Sequence, residues 1–556
     1  MLNAGSESQP GEVRTFPLLI LAAHLVTGFA FLSPGWIRPD SVAVYSWLRS
    51  LLFDRDLLFF NEWSGYGMIG NGFAWFKEIT PTGALANHWW IGTSLLSAPF
   101  YCAALAMKRL FSVPGDGFSG IYPATLGWSS VLFACGALVA AERVQAGLKI
   151  EPKARLFSLA AVWVGTPLFW YEYRFPLGTH AAGALTVGAL TWLLWKASTD
   201  ESNLIDGALI GLVLGLCIAT RLQHFVLALP VLYVIWKRGL RRLVPAITAG
   251  ATLPLAIQAT AWQIVYGHPL GPLVRGSNLE GVTWMPFRTV AVAPVLFSSF
   301  HGLFIWSPVV ALAVIGWFAA PREHRLLAMV LLLMFLGELV ANSAFDRYWW
   351  GGMSFGARRF TDLAAPFAIG LALLLSGRWR RIVYLLTSLS IGWSTLLIAA
   401  AISGHLSLEH DVAPSTLLRV ALRNGFHVSG LHSALTESSL RLFYPLVLLL
   451  VLGVGAPICS LLRRPRILIS VSVAYLTLAL LFVASSASLT LQRAPGDQRR
   501  FGLSPSTSAI GPLLDQRKLI AEEVVYLQRR EQHDAVAERA REIGAIDRRL
   551  ASLGAP

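Results

Sequence analysis

Charge is what this sequence has least of. Only 14% of its 556 residues are Asp, Glu, Lys or Arg, against about 25% in soluble domains, too few to cover a water-facing surface. The 55% of hydrophobic residues run along nearly the whole chain, which excludes a string of soluble domains. Cysteine is scarce too, and Cys102, Cys135, Cys217 and Cys459 all stand in apolar stretches without metal-ligand spacing. They read as buried thiols. Strict alternation of apolar and polar residues is missing: the run from Leu326 to Leu336 is continuously apolar, whereas a membrane β-barrel needs every second residue polar. No Ala-x-Ala pattern follows segment 16–36, which is long for a signal-peptide core, so that segment reads as a retained first helix.

What remains is an all-α polytopic integral membrane protein. A bilayer core of about 30 Å asks for about 20 apolar residues per helix. Segments of that kind fall near 16–36, 121–141, 156–173, 179–196, 204–220, 222–237, 243–265, 296–319, 325–343, 360–377, 382–402, 441–461 and 466–487, about thirteen transmembrane helices in all. The net charge of +14 gathers largely between them: Arg143, Lys149, Lys153 and Arg155; Lys237, Arg238, Arg241 and Arg242; Arg322 and Arg325; Arg378, Arg380 and Arg381; Arg463, Arg464 and Arg466. Placed on the cytoplasmic side, these clusters orient every helix by the positive-inside rule. The excess charge then reports topology and no nucleic-acid partner.

That scheme divides the chain into a cytoplasmic N-terminus (1–15), a transmembrane domain (16–487) whose first outer loop spans 37–120, and an outer linker with a helical tail (488–556). The apolar stretch from Leu204 to Trp236 is too long for one span and carries Arg221, Gln223 and His224 near its middle. It splits into a hairpin with Arg221 at the outer end. Residues 89–110 are apolar enough to cross, but a crossing there would put every later basic cluster outside; the segment is therefore expected to be a juxtamembrane or re-entrant helix pair. In the tail, Ile520, Val524, Leu527, Val536, Ala540, Ile543 and Leu550 recur at three or four. They predict an amphipathic helix interrupted near Glu531.

Ionisable side chains at membrane depth are costly and mark function or pairing. In this topology they gather at the outer helix ends: Asp40, Glu172, Arg174, His180, Arg221, His224, His301, Asp346, Arg347, Arg358 and Arg359. Arginines there can pair phosphate oxygens, and a carboxylate can take a proton. Asp40 has two open readings, a general base at the lipid boundary or an N-cap for the stretch Val42 to Leu52. Asp54 and Asp56 are a second acidic pair in the same loop or solvated loop positions, and Glu172 either shares a proton with an acceptor or forms an ion pair. Asp346 to Arg359 is the densest polar and aromatic segment, with Trp350-Gly351-Gly352 suited to close approach and sugar stacking. Its alternative is an interfacial anchor with snorkelling arginines.

With that outer cluster placed, the sequence resembles the polytopic GT-C glycosyltransferases, the class of protein O-mannosyltransferases and the lipid A aminoarabinose transferase. The resemblance rests on Asp40 just after the first helix, the long first outer loop and the alternating short loops. It is closer to a branch of bacterial membrane proteins with patterns like Ser50-Leu51-Leu52-Phe53-Asp54-Arg55-Asp56 with Asn61-Glu62, His301-Gly302-Leu303-Phe304 with Trp306-Ser307-Pro308, and Trp350-Gly351-Gly352 with Phe355-Gly356 and Arg358-Arg359. These cover roughly the first 380 residues.

The resemblance implies transfer of a sugar from a polyprenyl-phosphate donor to a lipid, glycan or protein acceptor at the periplasmic face of a bacterial inner membrane. It makes Asp40 the base, with Asp54 and Glu172 as further catalytic candidates. Arg221, Arg358 and Arg359 would stabilise the departing phosphate, and Arg174, His180, His301, Arg347 and Trp350 complete the substrate-binding candidates. Better-known relatives carry an Asp-Glu pair where this chain has Asp40-Ser41. No cofactor is required beyond the lipid-linked donor; a magnesium or manganese site is compatible but not implied, since no acidic pair or histidine cluster has ligand spacing. A transporter or flippase for a lipid-linked or anionic solute is the alternative, disfavoured by the lack of a convincing internal repeat. A non-catalytic scaffold using the tail helix ranks below both, because it leaves the Trp-Gly-Arg segment unexplained.

Overall fold

The computed structural model describes residues 12–32, 39–66, 68, 78–111, 117–118, 121–273, 290–344, 349–402, 406, 408, 521, 524, 528 and 533–552. In chain order the helices are α1 (Glu12–Phe31), α2 (Pro39–Arg49), α3 (Phe60–Gly65), α4 (Gly92–Phe111), α5 (Ile121–Gly147), α6 (Pro152–Gly165), α7 (Thr179–Thr199), α8 (Leu204–Thr220), α9 (Ala228–Arg238), α10 (Val244–Tyr266), α11 (Val292–Phe297), α12 (Leu303–Trp306), α13 (Pro308–Phe318), α14 (Arg325–Ala344), α15 (Ala364–Leu375), α16 (Arg380–Ile402) and α17 (His533–Ser552). Among the described residues the β structure is one isolated bridge, Ile79 to Leu85. Four segments, Tyr122–Gly147, Arg241–Tyr266, Arg322–Ala344 and Arg380–Ile398, are long and apolar enough to cross a membrane. Shorter apolar helices occupy Phe16–Phe29, Gly92–Ala106, Leu204–Thr220 and Pro308–Phe318.

Several expected spans are interrupted for local reasons. Segment 156–173 stops at Gly165, because Thr166 precedes Pro167 and takes an extended conformation (φ −127°, ψ 171°), as the proline ring demands. Segment 296–319 is three pieces, α11, α12 and α13. Pro308 starts the last of them, having no N–H to continue α12, and His301 between the first two is left-handed (φ 65°). Where a juxtamembrane or re-entrant helix pair is expected at 89–110, the chain forms one helix, α4, continuous through Pro99 over 20 residues, about 30 Å at 1.5 Å per residue. The break at Arg221 lies where its charge predicts, between α8 and a 3-10 turn at Leu222–Leu227. Cys135 and Cys217 are buried as expected, but Cys102 is exposed. The spans expected at 441–461 and 466–487, Cys459, Arg347 and the interruption near Glu531 lie outside the described residues.

The chain forms two compact units. In the first, which holds α1, most of α5, α6 to α9, most of α10 and α11 to α16, the central element is α15. Almost every residue from Ala364 to Leu375 is buried, as a helix apolar all round must be, and it packs against α6, α7, α13 and α16. Close crossings depend on small residues. Gly207, Gly211 and Gly215 recur every four residues on α8 and face α10; a Cβ on Gly211 would meet the Ile247 carbonyl oxygen at 1.9 Å.

The second unit contains α2 to α4, the start of α5, the end of α10 and α17. Trp47, Phe59 and Trp63 pack edge to face and stacked at its centre. Polar side chains tie its extended segments to the helices: Asn87 donates to the Ala43 carbonyl (2.9 Å), Ser94 to the Val44 carbonyl (2.6 Å), and the Ile91 amide to Gln258 (2.8 Å).

This packing account separates two glycines. Gly211→Ala is expected to destabilise by about 1–3 kcal/mol through overpacking, whereas Gly392→Ala in α16, with nothing within 4 Å of the added carbon, is expected to stabilise by roughly 0.5–1 kcal/mol. Thermal unfolding in detergent compares them, and equal melting temperatures would contradict the close α8 to α10 crossing.

Candidate functional site

An arginine at the end of a strongly apolar helix has to find partners or leave the membrane core. At Arg221 the chain departs from helix (φ −153°, ψ 125°), and the following 3-10 turn directs Arg221, Gln223 and His224 inward against α7, α14 and a second 3-10 turn, Arg358–Leu363, that leads into α15. Arg221 Nη1 donates to His180 Nδ1 (2.6 Å) and lies 3.3 Å from Asp362 Oδ2, while Nη2 donates to Gln223 Oε1 (3.1 Å). Gln223 Nε2 in turn donates to Glu338 Oε2 (2.6 Å) and to the Arg359 carbonyl (3.3 Å). His224 Nε2 donates to Asp362 Oδ2 (2.9 Å) and stands 3.7 Å from Glu338 Oε1.

Donor counting distinguishes the two histidines. His224 Nδ1 faces the Cys217 carbonyl at 2.9 Å, which only accepts, and its Nε2 faces carboxylates; both nitrogens therefore donate. His180 Nδ1 faces a guanidinium, which only donates, so that nitrogen accepts. Glu338, Asp362, His180 and His224 are all buried, and two cationic groups face two carboxyl groups in this network.

Beside it lies a small pocket lined by His301, Asn342, Trp349, Trp350, Arg358 and Arg359 among others, with a cavity volume of about 10 Å³, room for roughly one water. Trp349 and Trp350, which lead into the turn Gly351-Gly352, line one part of it. Gly351 has φ +81°, and a Cβ there would stand 3.2 Å from Arg358 Nε, so glycine both permits the turn and admits the guanidinium. Trp350 offers its carbonyl to His301 Nδ1 at 3.2 Å, and Ser354 bonds both His301 and that carbonyl. Asn342 links pocket and network, since it lies 3.4 Å from Glu338 Oε2.

The other predicted residues stand apart from this group. Glu172, in the π-helical turn Trp170–Arg174, is fully buried; its Oε1 receives His24 Nδ1 at 2.5 Å and its Oε2 receives Trp163 Nε1 at 2.8 Å. Its ion pair is thus with α1 and not with Arg174, which is half-buried at the end of the same turn. Asp40 and Asp54 belong to the second unit. Asp40 is half-buried in the first turn of α2, one residue after Pro39, a position inside the helix and not the N-cap, where its charge favours the helix dipole. Asp54 accepts from Arg49 (2.5 Å) and Asn61 (3.2 Å), and the same Arg49 donates to buried Glu62 (2.7 Å) while lying 3.8 Å over Phe118. Among the described residues no three His, Cys, Asp or Glu side chains group as metal ligands do.

His180 and Arg221 are therefore brought into one network, and His301, Trp350, Arg358 and Arg359 around one pocket beside it. Asp362, the acid on which Arg221 and His224 converge, is absent from the sequence candidates. Its signal was an unpaired acid opening the apolar segment 360–377, the kind of residue that membrane cost singles out. His24, inside the first apolar segment, escaped notice in the same way.

No protein-family profile and no curated protein matches the chain's sequence. In three dimensions it is similar to ArnT from Cupriavidus metallidurans in a crystal structure bound to undecaprenyl phosphate, with a TM-score of 0.44 and 12% identity over 92% of this chain and 79% of that one. A likeness this loose transfers no residue roles.

In α3, burial pushes the Glu62 carboxyl up to about 7, more than Arg49 beside it pulls it down. An acid raised on folding favours the folded state most below its unfolded value, and that contribution is lost as pH rises from about 4.5 to about 7. Stability is therefore expected to fall across that window in the wild type and less so in Glu62→Gln, which unfolding measured at pH 5 and pH 8 would reveal. An identical pH dependence in the two proteins would remove Glu62 as the titrating group.

Proposed function

We propose that the chain is a GT-C-like membrane glycosyltransferase, moving a sugar from a polyprenyl-phosphate carrier to a lipid, glycan or protein acceptor at the outer face. The observation that carries this reading is the meeting of Arg358 and Arg359 with Trp349, Trp350 and His301 around one pocket. Guanidinium groups bind phosphate oxygens in bidentate fashion, indoles offer flat apolar surface to a sugar ring, and apolar helices accommodate the lipid tail. Because the cavity is only about 10 Å³, the head group in this reading lies against the pocket's rim.

In the proposed reaction the base takes the proton of the acceptor hydroxyl, its oxygen attacks the anomeric carbon, and the bond from that carbon to the phosphate oxygen breaks. The electron pair leaves with the lipid phosphate, where Arg358 and Arg359 offset the developing charge. Asp40 is the base favoured by the sequence resemblance. Of its rivals, Asp54 is engaged by Arg49 and Asn61, and Glu172 is enclosed with both oxygens bonded. Arg221, which the sequence reading placed on the phosphate, spends both terminal nitrogens on internal partners, and here it supports the site from within.

A transporter or flippase is the second reading, favoured by the interrupted helices at Arg221 and between α11 and α13, since broken helices beside polar groups build transport sites. Proteoliposomes separate the two. Asp40→Asn is expected to lower sugar transfer from a polyprenyl-phosphate donor by about 10²-fold or more with membrane insertion unchanged. Full transfer in that variant would remove Asp40 as base; movement of the lipid-linked sugar across the bilayer without any transfer product would establish the transporter.

A further inference from the structure

We infer that Asp362 is the positioning residue for Arg358 and Arg359: buried itself, it fixes the turn that presents both arginines to the pocket. The inference rests on the pocket reading given above. All three residues share the 3-10 turn Arg358–Leu363. In such a turn residues three apart superpose, so Arg359 stands one turn from Asp362 and its direction follows from how Asp362 is held.

Asp362 is held from several sides. His224 Nε2 reaches Oδ2 at 2.9 Å and Arg221 Nη1 reaches the same oxygen at 3.3 Å. On α7, position 183 is glycine, and a Cβ there would stand 2.7 Å from the Asp362 carboxyl carbon; the helix leaves open the space that the carboxyl group fills. Gln223 fastens the same turn a second time by donating to the Arg359 carbonyl (3.3 Å). The side chains that grip the turn, Arg221, Gln223 and His224, thus come from the break after α8, and none of the three lines the pocket. Of their contacts, that of Gln223 reaches the backbone of the turn at Arg359 directly.

Removing the charge at Asp362 leaves Arg221 and His224 against each other without the negative charge they share. The turn then loses its anchor, and the arginines lose their common aim. A double-mutant cycle measures this separately from stability. Affinity for a synthetic polyprenyl monophosphate in lipid nanodiscs is compared among wild type, Asp362→Asn, the pair Arg358→Ala with Arg359→Ala, and all three changes together. Asp362→Asn is expected to weaken binding about tenfold, and the triple variant to bind no more weakly than the arginine pair, because the anchor has nothing left to position. Rescue by Asp362→Glu toward wild-type affinity supports the same role.

Wild-type affinity in a folded Asp362→Asn protein, or losses that add in the triple variant, would overturn the inference while leaving the pocket reading in place. Unchanged affinity in the arginine pair would instead remove the pocket reading and this inference with it. Should Asp362→Asn fail to fold, Gln223→Leu takes its place: it removes the bond to the Arg359 carbonyl, a severalfold loss of affinity is expected, and unaltered binding refutes the role.

Discussion

A charge taken out of water must be met by another charge or by hydrogen bonds, and the first unit is arranged around that requirement. Asp362 is the clearest instance. Its carboxyl group lies fully buried at the start of the central helix α15, where an uncompensated ion would destabilise the fold by several kcal/mol. Arg221 and His224 meet it, and each brings further partners: His180 and Gln223 for the first, the Cys217 carbonyl and Glu338 for the second. Breaking α8 at Arg221 is what lets Gln223 join them, since a continuous helix would turn residue 223 to the face away from residues 221 and 224.

The same rule governs the second buried acid. Glu172 sits where α6 has ended at Gly165 and the chain turns before α7, and it is matched by His24 of α1 and Trp163 of α6. His24 also stacks on Trp163 at 4.1 Å, so the residue that bonds the acid also joins α1 to α6. Polar pairing fixes which helices meet, whereas the closeness of their approach is set by small residues such as Gly211. The two effects are complementary, because dispersion alone discriminates poorly between helices that are apolar all round.

Function in the proposed reading grows out of these constraints. The network that neutralises Asp362 also steadies the turn bearing Arg358 and Arg359, and Asn342 and the Arg359 carbonyl connect the network to the pocket. His301, held left-handed (φ 65°) and bonded to the Trp350 carbonyl, sits at the interruption between α11 and α12. Backbone strain of this kind costs on the order of 1–3 kcal/mol and persists where the surroundings over-determine it. Breaks in the helices, buried ion pairs and the arginine pocket therefore occupy the same part of the first unit.

The sequence by itself determined the helical class, because low charge and long apolar runs leave a chain no other way to satisfy its backbone in lipid. It also marked the break at Arg221, since an arginine and a histidine in mid-segment are hard to bury, and it picked out Arg358, Arg359, Trp350 and His301 by local density of polar and aromatic residues. Prolines at 167 and 308 were visible too, yet hydropathy averaging passed over them and turned interrupted helices into whole spans. Only the tertiary structure decided who pairs with whom. Glu172 meets His24 across 148 positions and His224 meets Asp362 across 138, separations at which no periodicity operates. Asp362 needed the folded chain to acquire a role, because a buried acid is defined by its partners, and those of the break after α8 meet it beside Gly183 of α7 only once the helices have packed.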